Sequence, residues 1–193
     1  MEKNILVSTQ RKTIVRITLT ALFAALTAAG TFISIPLPGS PIPIVLQNMF
    51  ALLSGLILGP LLGGAAVGLY LIAGAIGAPV FAGAAGGFAR FASPSGGFLI
   101  GYLLMAILGG CIVGRPQGGC KTPLWRIACG VVAGILVVYV PGVIQLKLIL
   151  NDTWEGAITK GFLPFIIGDV IKGIAAGIIT PRLRRAAADH LDG

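Results

Sequence analysis

Long apolar runs, separated by prolines, glycines and bases, limit what this chain can fold into. They cover about 14–35, 45–58, 61–76, 96–113, 124–146 and 162–180. A helix that crosses a bilayer needs about 20 mostly apolar residues, within a range of about 17–25. Four of the runs meet that length. The other two flank Gly59-Pro60. As one straight helix, 45–76 would reach about 48 Å at about 1.5 Å per residue, far beyond a hydrocarbon core of about 30 Å. Two short helices joined by a turn fit better. The pattern therefore predicts an all-α integral membrane protein: one domain over 1–193, built as a bundle of six transmembrane helices. Only 10% of the residues are charged, against about 25% in a soluble domain, so a soluble fold is excluded.

The connectors carry their own signals. Residues 36–43 hold four prolines and no charge, which breaks the first helix and predicts an ordered, extended loop. Residues 77–95 are dense in glycine and alanine. Such a stretch is too long for an ordinary connection, and a re-entrant loop lining a cavity is the expectation. Residues 147–161 read as a polar connector with Lys147, Asp152, Glu155 and Lys160. Pro181 is expected to end the last helix, with Arg182, Arg184 and Arg185 beyond it. Residues 1–12 are too polar for a signal peptide with an adjoining cleavage site, so the first run should remain as a helix.

The formal charge of +8 would suit nucleic acid, but the bases gather at run ends and no basic stripe with interleaved aromatics occurs. Nucleic acid is set aside; orientation in a lipid bilayer explains the bases. Lys3, Arg11, Lys12 and Arg16 precede or open the first run, Arg115, Lys121 and Arg126 border the loop after 96–113, and three arginines close the chain. With six spans all three groups fall on one side, which places both termini in the cytoplasm. The loop 77–95 is then outside. Cys111, Cys120 and Cys129 match no zinc spacing and read as packing residues or incidental thiols. There is no Walker A motif, no metal cluster, no nucleophile elbow and no paired inward carboxylates; the sole histidine, His190, lies in the polar tail. Neither enzyme chemistry nor a cofactor is expected.

A few polar residues stand out against this background. Asp169 is the only acid well inside an apolar run, and Lys172 follows three residues later, on the same helix face. An Asp in a membrane helix costs about 2.5–3.5 kcal/mol on insertion scales. The pair is either a structural lock on the last helix or a polar clamp for a buried ligand. Arg90 is the only charge between Arg16 and Arg115; it reads as a headgroup contact or as a contact to an anionic ligand group. Gln47 and Asn48 open the second helix, either as caps or facing a cavity. Phe81, Phe98, Tyr70, Tyr102 and Tyr139 suit packing or a ligand wall. Ala21, Ala25 and Ala29 line one face of the first helix, where small residues let another helix approach closely.

Three stretches taken together resemble the BioY family, the biotin-specific substrate-binding components of energy-coupling-factor transporters. They are Pro41-Ile-Pro-Ile-Val-Leu-Gln47; Gly74-Ala-Ile-Gly-Ala-Pro-Val-Phe-Ala-Gly83 with its continuation through Gly86-Gly87 to Ser93-Pro-Ser-Gly-Gly-Phe98; and Gly161-Phe-Leu-Pro-Phe-Ile-Ile-Gly-Asp169-Val-Ile-Lys172. Two departures stand out: Val45 sits where the family often has Thr, and Ser93-Pro94-Ser95 where Gly-Pro-Thr is more usual. The resemblance implies a multi-pass protein of the bacterial cell membrane with an outward-facing biotin pocket. It implies that Asp169 and Lys172 contact biotin and that Arg90 contributes from the Gly-rich loop. Gln47, Phe81, Gly83 and Tyr139 complete the expected binding set. It also implies partners: a transmembrane coupling subunit (EcfT or BioN type), docked on Ala21, Ala25 and Ala29, and ATP-binding subunits (EcfA or BioM type). Biotin chemistry agrees, since a ureido group offers two N–H donors and a carbonyl acceptor to a carboxylate and an ammonium. The sequence also leaves room for another vitamin, or for an ion-coupled carrier that protonates Asp169.

Overall fold

The computed structural model describes residues 2–118 and 121–191. Its helices are α1 (Glu2–Ala29), α2 (Gln47–Ala75), α3 (Gly96–Val113), α4 (Leu124–Leu150), α5 (Trp154–Gly161) and α6 (Leu163–Leu191). Among the described residues five segments are long and apolar enough to cross a membrane, the last running from Trp154 through Leu191. Two short strands, β1 (Ser34–Ile35) and β2 (Ile44–Val45), pair antiparallel. Residues 36–43 are the loop between them, extended as expected.

The helix α2 is broken at Gly59, where φ is 81° and ψ 179°. Glycine enters that region without the steric cost other residues meet, and Pro60 suits the start of a new helical segment. The chain then folds back on itself. Ser54 Oγ donates to the carbonyl of Gly63 at 3.2 Å, and Gln47 Nε2 donates to the Tyr70 hydroxyl at 2.8 Å. In a straight helix Gln47 and Tyr70 would stand about 35 Å apart. A Cβ built on Gly63 would lie 2.6 Å from the Gly55 Cα, so 47–58 and 60–75 meet backbone to backbone. Length alone predicted this reversal, and the glycines permit its closeness.

Around this hairpin the helices pack in sequence. α1 lies on α2, α3 fits between α2 and α4, and α6 leans on α2 and α4. Leu52, Leu56, Met105, Ile127 and Val138 form the buried centre. The outward faces stay apolar, with Ile72, Val132, Leu136 and Ile174 exposed. Lipid tails are as apolar as leucine, so close packing rather than water exclusion holds the helices together.

Several boundaries differ from expectation. The first helix starts at Glu2 and stops at Ala29, with a 3-10 turn over Gly30–Phe32. The carbonyls of that turn are satisfied from outside: Leu46 N–H donates to Gly30 and Ile33. The Gly-rich stretch, expected as a re-entrant loop lining a cavity, supplies Phe81, Ala82, Arg90 and Ser95 to a cavity wall. It folds as a surface cap, with a bridge between Phe81 and Ala85 and a 3-10 turn over Phe88–Ala92. Of residues 77–95 only Phe81 is buried. The polar connector contains the last turn of α4 and all of α5, capped by the Thr153 side chain, which accepts from Gly156 N–H at 3.1 Å.

The last helix does not end at Pro181; it continues to Leu191. An interior proline costs about 3 kcal/mol, and Arg184 offsets it. Its guanidinium donates to the carbonyls of Leu56 (2.7 Å), Val113 (3.3 Å) and Gly114 (2.8 Å) and to Thr122 Oγ1 (2.7 Å). Arg184 is therefore buried rather than a headgroup-facing charge. Cys111 and Cys129 are exposed; Cys120 lies outside the described residues.

Candidate functional site

The pair singled out in the sequence forms. Lys172 Nζ stands 2.6 Å from Asp169 Oδ1, and both side chains are largely buried. Their helix spacing puts them on one face, and that face meets α4 and the start of α2. Tyr139, from α4, donates to Asp169 Oδ2 at 2.5 Å. Asn48, from α2, uses both ends of its amide: Nδ2 donates to Asp169 Oδ1 at 2.8 Å and Oδ1 accepts from Lys172 at 2.8 Å. Lys172 donates once more, to the backbone carbonyl of Val45 at 3.1 Å. All three ammonium protons are used, and the carboxylate accepts from three donors. Among the described residues no buried side-chain nitrogen or oxygen is left without a partner. The cost of burying two charges is met by a closed, net-neutral network.

Two small cavities lie over this network. One, of about 30 Å³, is lined by Asp169, Tyr139, Phe165 and Val138 together with Phe98, Tyr102, Val45, Ile42 and Pro43. The other, of about 20 Å³, shares the last five residues and adds Gln47, Phe81, Ala82, Arg90, Ser95 and Leu99. Ile42 and Pro43 are the shared wall from the proline loop. A drug-sized ligand occupies about 300–1,000 Å³. A larger cavity, of about 330 Å³, lies far from this chemistry, between Arg16, Leu58 and Arg115.

The structure brings most of the expected residues together. Tyr139 touches the pair directly and meets the rings of Phe98 and Phe162 edge-on, at 6.3 and 4.7 Å between centroids. Phe81 is packed edge-on between Tyr70 and Phe91 and also lines a cavity. Arg90 lines the same cavity from the exposed 3-10 turn. Gln47 does not cap α2; the residue before it, Leu46, is the N-cap. Its amide nitrogen, with two protons, lies within hydrogen-bond reach of Thr31 Oγ1, the Tyr70 hydroxyl and the carbonyl of Val80, tying the 3-10 turn after α1, α2 and the Gly-rich cap together while lining the cavity. Gly83 stands apart, exposed at the tip of the turn between Phe81 and Ala85 with φ +76°. Ala21, Ala25 and Ala29 are exposed along one side of α1.

Sequence reasoning left two contributors undecided and missed two. Asn48 was read as a cap or as facing a cavity, with no link to the ion pair. Tyr102, read as packing or a ligand wall, lines both cavities. The Val45 carbonyl has no side-chain signature. Gln145 on α4 donates to the carbonyls of Phe91 (2.5 Å) and Ser93 (2.9 Å), and so fastens the turn that carries Arg90. An isolated Gln inside an apolar helix is the signal that could have found it. Among the described residues no group of His, Cys, Asp or Glu side chains could hold a metal ion.

Known proteins resemble this chain over nearly its whole length. The family model described as the BioY family matches residues 2–189. A biotin transporter BioY of Thermotoga maritima is 38% identical over 169 residues, 88% of this chain and 95% of that protein. One of Rhizobium etli is 36% identical over 83% of this chain and 88% of its own length. Among solved structures, the S-component for biotin from an ECF-type ABC transporter aligns with a TM-score of 0.78 at 31% identity, covering 90% of this chain and 92% of that one.

Proposed function

This chain belongs to the BioY family, and from that premise we propose that it takes up biotin as the substrate-specific component of an energy-coupling-factor transporter. It is a transporter subunit, not an enzyme, and a multi-pass protein of the bacterial cell membrane. The observation that carries the site is the Asp169–Lys172 pair, buried under two cavities that reach from Tyr139 to Arg90.

Biotin binds by exchange within that network. Its ureido N–H groups take acceptor places on Asp169 now filled by Asn48 and Tyr139. Its ureido carbonyl accepts from Lys172 or Asn48. The apolar rings and chain run past Phe98, Tyr102 and Phe81, and Arg90 meets the carboxylate near the surface. An incoming ligand thus replaces hydrogen bonds one for one and leaves no buried charge unpaired.

The finer architecture follows from the hairpin in α2. Counting 47–58 and 60–75 separately gives six spans. Arg16, the Gly59 turn, Arg115 and the end of α6 then share the cytoplasmic side, as the positive-inside rule requires. The exposed Ala21, Ala25 and Ala29 offer a small-residue face to a transmembrane coupling subunit, and ATP-binding subunits supply the energy that this chain's motifs do not.

The test is binding of radiolabelled biotin by purified Asp169→Asn and Lys172→Ala. Breaking one side of a buried pair costs about 3–5 kcal/mol, so each variant should lose binding by two orders of magnitude or more. Wild-type binding in both would overturn the site. Saturable binding of a different vitamin, or uptake driven by a pH gradient in the chain alone, would overturn the function.

A further inference from the structure

A cavity larger than the two over the ion pair shares no lining residue with them. It holds about 330 Å³ and opens between α1, the Gly59 turn and the segment that follows α3. Its polar half holds two cations, Arg16 from α1 and Arg115 just past α3, beside the neutral Gln117. Its other half is apolar. Leu58 and Leu191 form a buried floor, while Leu61 is 66% exposed on the outward face of α2. Among the described residues no acid lines the cavity. Among the described residues the two ion pairs are Lys160–Asp152 and Lys172–Asp169, so neither arginine is neutralised by a carboxylate.

We propose that this cleft is a binding site for an anionic phospholipid. Its phosphodiester sits between Arg16 and Arg115, and an acyl chain lies over Leu61. The chemistry is specific on each side. Guanidinium groups match phosphate oxygens with paired N–H donors. A Leu-lined wall open to the bilayer suits an acyl chain and offers nothing to a free phosphate. Among the described residues no lining carboxylate offers a partner to the ammonium of a zwitterionic headgroup, so phosphatidylglycerol is favoured over phosphatidylethanolamine. The placement agrees as well, given the orientation proposed above: basic pockets between helices on the cytoplasmic side are where anionic headgroups bind. The backbone of Arg115 passes close to the Gly59 turn, its Cα 3.2 Å from where a Gly59 Cβ would be.

The experiment is native mass spectrometry of the full-length protein, released in mild detergent and titrated with phosphatidylglycerol, phosphatidylethanolamine or glycerol phosphate. The wild type should retain phosphatidylglycerol in preference to the other two. Each base near an anionic headgroup contributes about 1 kcal/mol, so Arg16→Gln with Arg115→Gln should lower retention about 30-fold. Lys147→Gln, at the other end of the bundle, should leave it unchanged. Biotin binding serves as the check that the double variant is folded. If it does not fold, the single Arg115→Gln variant, with an expected loss of about fivefold, answers the same question. Equal retention by wild type and variant would overturn the proposal. So would equal retention of phosphatidylethanolamine, or displacement of the lipid by equimolar glycerol phosphate. A variant that keeps the lipid but no longer co-purifies with a coupling subunit would assign the cleft to protein docking and overturn it too. The lipid readout is independent of biotin, so its failure leaves the family reading untouched.

Discussion

Asn48 decides how the ion pair is held. An aspartate and a lysine three residues apart can meet in any helix, but here the amide of Asn48 connects both to α2. Replacing it with leucine leaves the carboxylate short of a donor and the ammonium short of an acceptor. A buried polar group that loses its partner costs about 1–3 kcal/mol. Asn48→Leu should therefore lower the thermal midpoint in detergent and weaken biotin binding together. Unchanged melting would mean that Tyr139 and the Val45 carbonyl are sufficient. At this scale the candidate pair was legible in the sequence, because a charge inside an apolar run is costly wherever it sits. Its partners were not, because Asn48 lies 121 positions from Asp169 and looks like any helix opener.

Each element shows a local signal that tertiary contacts complete or overrule. Gly59-Pro60 marked the reversal in α2, and the close approach of Gly63 to Gly55 completes it. Pro181 marked an end that Arg184 overrules. The connector between α4 and α6 makes a pH prediction. Asp152 accepts from Lys160 Nζ at 2.7 Å and from Thr153 N–H at 2.8 Å. The Lys160 bond first, and the backbone bond second, hold its carboxyl below the ordinary value of 3.8. A depressed carboxyl stabilises the fold fully above its unfolded value and loses that contribution as pH falls through the folded one. Melting curves of wild type and Asp152→Asn should therefore differ by a constant amount above pH 4 and converge only in stronger acid. Convergence near neutrality would contradict the arrangement. The pair lies at the surface, with Lys160 exposed, so the difference should also shrink with salt.

For the whole molecule, polar fastenings sit at both ends of an apolar bundle. At one end are Asp169, Lys172 and Asn48, with Gln47 and Gln145 tying the Gly-rich cap to α2, α4 and the 3-10 turn after α1. At the other, Arg184 binds carbonyls from the first half of α2 and from the end of α3. Leucine at Arg184 would strand those carbonyls and should cost about 3 kcal/mol. Lysine should recover only part, because an ammonium lacks the guanidinium fork. Thermal unfolding in detergent reads this directly, and a leucine variant as stable as wild type would refute it. Six spans make a separate prediction. Reporters fused after residue 193 and before residue 1 should both register as cytoplasmic, while one inserted at Gly39 should register outside. Termini on opposite sides would require five spans.

The sequence alone determined the class of this protein and its approximate spans, because apolar length and the cost of charge in lipid act locally along the chain. It also singled out Asp169 and Lys172, and its scattered motifs resembled a family that the comparisons bear out. Only the tertiary structure decided what those charges touch, that the Gly-rich stretch caps the bundle and walls a cavity, and that Arg184 faces inward while Arg16 and Arg115 share a cleft. Hydropathy counts a base identically whether it faces headgroups, carbonyls or a phosphate. Which of these it meets depends on helices that converge from distant parts of the chain, and that convergence is a property of packing.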